Sequence, residues 1–165
     1  LIDGTSLKIG EITSENISFV IVPHLNASGR IEDASQAVEL LYGNCSSARK
    51  NQIVEDVLQK NLQRRNLQAQ TFKECTATID GENPGNLILI YSEEAHEGIA
   101  GIVAGKIKET YYRPAIIVTP SGEDDAFLKG TGRSIEGINL YQLLKTQDKV
   151  DGRPQGQGRY SAHQA

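Results

Sequence analysis

The sequence predicts an α/β protein: a helical connector with one long helix, followed by a small α/β domain with a strand-helix-strand core. From Ser46 or Ser47 to Gly81, apolar residues recur at helical spacing with no breaker. Gly81-Glu82-Asn83-Pro84-Gly85 then reads as a turn and a boundary. After it, the apolar runs Leu87–Ile90 and Ala115–Val118 flank a helical stretch from His96 to Tyr112. That order suggests a parallel crossover unit. The expected division is 1–82 for the connector, 83–150 for the α/β domain and 151–165 for a tail.

The segment up to Ile31 is short and mixed. Ile17-Ser18-Phe19-Val20-Ile21-Val22-Pro23 is apolar and β-branched, the signature of a strand, and Pro23 ends it. Asp33 suits the N-cap of a helix through about Tyr42, with Ala34, Ala37, Val38 and Leu41 at helical steps and Gly43 as terminator. In the long pattern, Ile53, Val57, Leu58, Leu62, Ala69, Phe72 and Ile79 recur at three-, four- and seven-residue steps. At 1.5 Å per residue the helix would be roughly 45–50 Å long, a length that usually bridges two bodies. The alternative is two shorter helices with a kink near Asn66. In the second half, Phe127-Leu128-Lys129 is a third strand candidate and Ile138–Lys145 a short helix.

Composition excludes several classes. A chain of 165 residues with 38% hydrophobic and 23% charged content is ordinary for a globular protein. A net charge of -4 argues against a free-standing, non-specific nucleic-acid binder, yet allows a focused basic groove. No apolar run is long enough to span a bilayer, and no signal peptide is visible. Cys45 and Cys75 match no metal spacing and read as free thiols in a reducing cytoplasm. The chain opens on Leu1 and has no methionine, so an excised piece of a longer protein is expected.

Two glycine/arginine clusters carry the chemistry. Asn26-Ala27-Ser28-Gly29-Arg30 precedes the Asp33-capped helix, and Gly130-Thr131-Gly132-Arg133-Ser134 follows about a hundred residues later. Each reads as an arginine on a glycine-hinged loop beside a helix start. Arginine offers a planar fork of donors to a phosphate, and a helix N-terminus adds free N–H groups. In the first cluster Gly29 would turn the chain, Arg30 bind phosphate and Asn26 hold the loop or donate a second bond. The alternative is an ordinary loop whose arginine pairs with Glu32 or Asp33. In the second, the glycines around Thr131 let backbone approach a ligand, while Arg133 and Ser134 donate. There the alternative is a turn with a solvated arginine.

His96 opens a helix bearing Gly98, Gly101 and Gly105 on one face, which points to close packing of helix on strand. His96 itself could donate to an anion or cap the helix. His24 and His163 have no partners at ligand spacing, and no metal cluster, Walker loop or catalytic triad is visible. Lys129, Arg133, Arg64 and Arg65 could extend a basic track. Few aromatics are placed to stack bases, so contact would be mainly to the nucleic-acid backbone.

Val22-Pro23-His24-Leu25-Asn26-Ala27-Ser28-Gly29-Arg30-Ile31, with Asp33-Ala34 and Leu40-Leu41, resembles a stretch of the RecJ single-strand exonucleases, a branch of the DHH phosphoesterases. Asn61 to Arg65 resembles that family's N-x-x-R helix, and His96-Glu97-Gly98-Ile99-Ala100-Gly101-Ile102-Val103-Ala104 its glycine-containing helix start. Tyr112-Arg113-Pro114 and Lys129 to Gly137 match in the same order, so the likeness covers roughly Ile17 to Leu144. The resemblance implies a full-length enzyme that cuts single-stranded DNA from the 5′ end with manganese or magnesium. It implies that Arg30, Arg133 and Ser134 contact substrate phosphates, with Asn26, His96, Thr131 and Gly132 in the same binding surface. The part after Pro84 would be the DHH-associated domain. Single-stranded DNA, DNA-repair proteins and a cytoplasmic setting are the implied partners and place, with no membrane.

Two departures from the family qualify this. Its metal-binding lobe is missing, so this chain alone is expected to be inactive, with no catalytic or metal-ligating residue of its own. Its G-G-H-x-x-A-A-G motif is also missing, and Gly152-Arg153-Pro154-Gln155-Gly156-Gln157-Gly158-Arg159 stands in its place. Read one base forward, codons for that stretch permit G-G-H-K-A-K-A-G, which suggests a frameshift. A polar, loosely attached native tail is the alternative. Other readings of the whole are a non-catalytic nucleic-acid-binding or adaptor module, and a DHH-family phosphoesterase acting on short RNA or nucleotide phosphates.

Overall fold

The computed structural model describes residues 1–81, 83–121 and 128–147. The tail after Asp151, with its suspected frameshift, lies outside the described residues. The chain divides into two compact units, 1–70 and 71–165.

Unit 1 is helical. A 3₁₀ turn at Ile2–Gly4 and a short α1, Ser14–Asn16, lead into a π-helical turn at Ile17–Ile21 and then α2, Val22–Ile31. The strand expected over residues 17–23 is therefore helix instead. Two local features explain why. Thr13 and Asn16 close a capping box that starts the helix. The helix then continues without a break through the π turn, where Val22 N–H bonds Ile17 C=O, and that local change of register just before Pro23 accommodates a proline within a continuous helix. β-branched residues are tolerated in that helix because local caps outweigh their weak preference.

Helix α3 spans Ser35–Tyr42 and ends at Gly43, whose φ of 73° needs a residue without a Cβ. Its N-cap is Ala34 rather than the expected Asp33, which stands one residue earlier and accepts from Ser35 N–H at 3.2 Å. Hydrogen bonding from the Ser35 side chain, and after it from the Ser35 N–H, holds the Asp33 carboxyl below the usual carboxylate range. Helix α4 runs unbroken over Ser47–Ala77, 31 residues or about 46 Å. It has no break at Asn66, and Ser46 Oγ accepts from Arg49 N–H at its start. Ile53, Val57 and Asn61 line its buried face in unit 1. Arg49 ties α4 to α3 by donating two hydrogen bonds to the Glu39 carboxylate, at 2.8 and 3.0 Å.

The last turns of α4 belong to unit 2, where Thr71 and Cys75 are buried and Lys106 lies 4.2 Å over the Phe72 ring. Strand β1, Ile88–Tyr91, leads to α5, Glu97–Tyr111, and back to β2, Ala115–Pro120, which pairs parallel with β1. The crossover read from the sequence is present. Strand β3, Leu128–Arg133, pairs antiparallel with β2, and α6 spans Leu140–Gln147. Ile99, Ala100, Val103, Ala104 and Ile107 form the buried face of α5, with Ile88, Ile90, Ala115 and Ile117 buried in the strands. Arg113 is spent internally, donating to Gly85 C=O and Tyr112 C=O. Among the described residues no helix is long and apolar enough to cross a membrane.

The Thr119 hydroxyl is buried on β2 and has no hydrogen-bond partner among the described residues. An unsatisfied buried hydroxyl costs about 1–3 kcal/mol. Thr119→Val keeps the shape and removes the polar atom, so it should stabilise unit 2 by about 1 kcal/mol. A higher melting temperature by circular dichroism is the expected reading, and a lower one would show that the hydroxyl is satisfied.

Candidate nucleic-acid interface

The first cluster belongs to unit 1. Asn26 to Arg30 is not a loop but the last two turns of α2. Gly29 does not turn the chain. Its missing Cβ, which would stand 3.2 Å from the Ala34 Cβ, lets the segment after α2 pass close to the helix. Asn26 and Arg30 are thus neighbours four residues apart on one exposed helix face. Both border an open groove of about 580 Å³ whose other walls include Val22, Leu25, Val38 and Leu41.

Arg64 of α4 joins Arg30. Its guanidinium is partly buried and held by amides rather than carboxylates. Asn61 Oδ1 accepts from Nε at 3.2 Å and from Nη2 at 3.0 Å, while Gln68 Oε1 accepts from Nη1 at 3.2 Å. Burial lowers its pKa from the ordinary arginine value, and the charges of Arg30 and Arg65 lower it further. Neutral amides fix the orientation of Arg64 without cancelling its charge. Two like charges share this patch, and a phosphate would relieve both. Of the acidic residues that follow Arg30, Glu32 pairs with Lys60 at 2.8 Å and Asp33 accepts from Ser35 N–H at 3.2 Å. The sequence showed Asn61 and Arg64 only as a family-like motif and a basic track. Their three-residue spacing on a helix was the available signal, because it brings amide and guanidinium together.

The second cluster belongs to unit 2, and it too is not a loop. Gly130 to Arg133 lie in β3, and only Ser134 follows the strand. Alternation along the strand separates their roles. Lys129, Thr131 and Arg133 pair with Thr119, Ile117 and Ala115 and face α5. Gly130 and Gly132 lie on the opposite face, where a Cβ at Gly132 would meet Ile116 at 3.3 Å and Leu140 at 3.4 Å. Ser134 donates its hydroxyl to Ile138 C=O and so ties the turn before α6. Lys129 Nζ pairs with Glu97 at 2.9 Å. Arg133 Nη1 donates to Gly132 C=O at 2.9 Å.

His96 is the N-cap of α5. Its Nδ1 accepts from Gly98 N–H at 3.2 Å, which assigns the ring proton to Nε2. The exposed ring is left one outward donor. Among the described residues no group of three or more His, Cys, Asp or Glu could hold a metal. His24 directs Nδ1 at Val20 C=O, 2.6 Å away.

If the Arg30–Arg64 patch takes an anion, inorganic phosphate should raise the melting temperature of the chain. At tenfold over the dissociation constant the gain is about 1.4 kcal/mol. Arg64→Gln should shrink that gain. Melting curves of both proteins with and without phosphate check it, and an equal gain in the two would place the anion elsewhere.

The chain is similar to several known proteins. The DHHA1 domain family matches residues 85–165. The chain is 34% identical over 145 residues to the single-stranded-DNA-specific exonuclease RecJ of Salmonella typhimurium, covering 85% of the chain and 25% of that protein. A crystal structure of exonuclease RecJ bound to manganese superposes with a TM-score of 0.70 at 28% identity, covering 84% of this chain and 34% of that one. RecJ of Thermus thermophilus in complex with magnesium gives 0.70 at 26% identity, covering 84% and 21%. The chain spans about a quarter of the length of the curated relatives it matches. The chain is thus similar to RecJ over most of its length, and its residues 85–165 match the DHHA1 domain family.

Proposed function

We propose that this chain is the substrate-binding part of a RecJ-like, metal-dependent exonuclease that degrades single-stranded DNA in the 5′ to 3′ direction. The observation that carries the proposal is the Arg30–Arg64 patch, in which a partly buried guanidinium is fixed by amides beside a second positive charge. Arg133 and Thr131, on one face of β3, form the second contact region, and His96 stands toward the other end of that face, next to the Glu97 that pairs with Lys129. Each region takes a phosphate of the strand, and neither reads the bases. Backbone contact of this kind suits an enzyme that must move along any sequence.

Manganese and magnesium, the ions in the matched RecJ structures, do not fit the described residues, which offer no ligand cluster. In this reading hydrolysis belongs to the full-length enzyme, and this chain supplies the binding of the strand. The residues after 82 act as the DHH-associated domain and those before as the connector. The role is DNA repair and recombination in the cytoplasm, in company with repair proteins.

Arg30→Ala, Arg64→Ala and Arg133→Ala should each weaken binding of a fluorescein-labelled oligothymidylate by about tenfold. Each should also flatten the salt dependence by about 0.7 in log–log slope, the share of one phosphate on a single strand. Anisotropy titrations across a range of potassium chloride measure both. Unchanged affinity and slope in all three variants would overturn the reading.

Lys129 gives a prediction of opposite sign. Its bridge to Glu97 is half-exposed and contributes little to stability. Glu97→Gln should release the ammonium, tighten binding in the same assay and steepen the slope by about 0.7. Weaker binding in this variant would mean that Lys129 needs Glu97 to reach the strand.

A further inference from the structure

Three residues of α5 face three residues of β3. Glu97, Gly101 and Gly105 recur every fourth position and form one stripe along the helix. Opposite them stand Lys129, Thr131 and Arg133. A Cβ at Gly101 would lie 2.9 Å from Arg133 Nη2 and 3.1 Å from Thr131 Cγ2, closer than side chains normally pack. At Gly105 it would lie 4.0 Å from Arg133 Cγ, an ordinary contact. The arginine side chain therefore lies along bare helix backbone, with its guanidinium over Gly101 and its stem beside Gly105.

The two basic residues of the strand are held by different means. Lys129 is held by charge, through Glu97. Arg133 is held by shape and by one bond to Gly132 C=O, and among the described residues no carboxylate pairs with it. We propose that Gly101 is a positioning residue for Arg133: by lacking a side chain it seats the guanidinium in one orientation and leaves its charge available for a phosphate. An arginine ordered before its ligand arrives loses less conformational freedom on binding. The inference rests on the reading of Arg133 as a phosphate contact.

The test uses the full chain and the oligothymidylate assay, with folding checked by circular dichroism. Gly101→Ala should weaken binding about fivefold to tenfold, approaching Arg133→Ala, and flatten the salt slope by up to about 0.7. Gly105→Ala should leave both unchanged. In an Arg133→Ala background, Gly101→Ala should have no further effect on binding. Should Gly101→Ala fail to fold, Arg133→Lys provides the second route. Lysine lacks the Nη2 that occupies the space over Gly101, so Gly101→Ala combined with Arg133→Lys should fold and bind as Arg133→Lys alone does. A Gly101→Ala protein that binds like the parent while Arg133→Ala binds weakly would overturn the inference and spare the proposed function. An Arg133→Ala protein that binds like the parent would overturn both. Additive losses for Gly101→Ala and Arg133→Ala would also overturn the inference.

Discussion

The close seating of α5 on the sheet is the constraint on which unit 2 depends. Ile99, Ala100, Val103, Ala104 and Ile107 are buried on one side of that helix, and two of the five are alanines. Small residues bring the helix axis near the strands, and glycines at 101 and 105 extend that closeness to β3. Interior glycines cost about 1 kcal/mol each relative to alanine, so a helix that keeps them must gain elsewhere. Here the gain is the space that Arg133 and Thr131 occupy. A larger residue at 101 would push β3 outward or drive Arg133 into solvent. The positions of His96 at the helix start and of Glu97 against Lys129 follow from the same seating.

Unit 1 reaches a charged patch by another route. Burial of Arg64 disfavours its charge, and the neighbouring arginines disfavour it further. A carboxylate partner would remove that stress but would also compete with any incoming phosphate. Asn61 and Gln68 satisfy the donors while leaving the charge in place. Asn61 is itself buried, so its amide is fixed by the same packing that holds Ile53 and Val57. A stiff helix thereby carries the orientation of the guanidinium.

Much of this was legible in the sequence, and the failures have identifiable causes. The long helix was readable because its periodicity runs through α4 without proline or glycine. The crossover was readable because two apolar runs bracket a helix of standard length. Residues 17–23 misled because composition favoured a strand, whereas a capping box and a π turn that accommodates Pro23 go with helix. Both glycine/arginine clusters were read as loops because glycine is commonest in turns. In the fold neither Gly29 nor Gly132 has an unusual backbone, and each serves a close approach by another segment. Sequence alone does not distinguish those two uses of glycine, since the packing of the folded chain decides which residue approaches. Ser134 was read as a donor to ligand, but a carbonyl four residues on is nearer and takes its proton.

Glycine as a space-maker rather than a hinge changes what the arginine motifs mean. A hinge would leave its arginine mobile, searching for an anion and losing entropy on finding one. A glycine that admits a neighbour does the reverse, because it lets the surroundings close around the side chain or its helix. Gly29 admits the Ala34 Cβ and so fixes how the chain leaves α2 one residue beyond Arg30. Gly101, from a different element, admits Arg133 directly. In both cases the arginine is presented from regular secondary structure, on a helix in one unit and a strand in the other. Donors held in this way keep their geometry between one ligand and the next, so less conformational freedom is lost at each binding event.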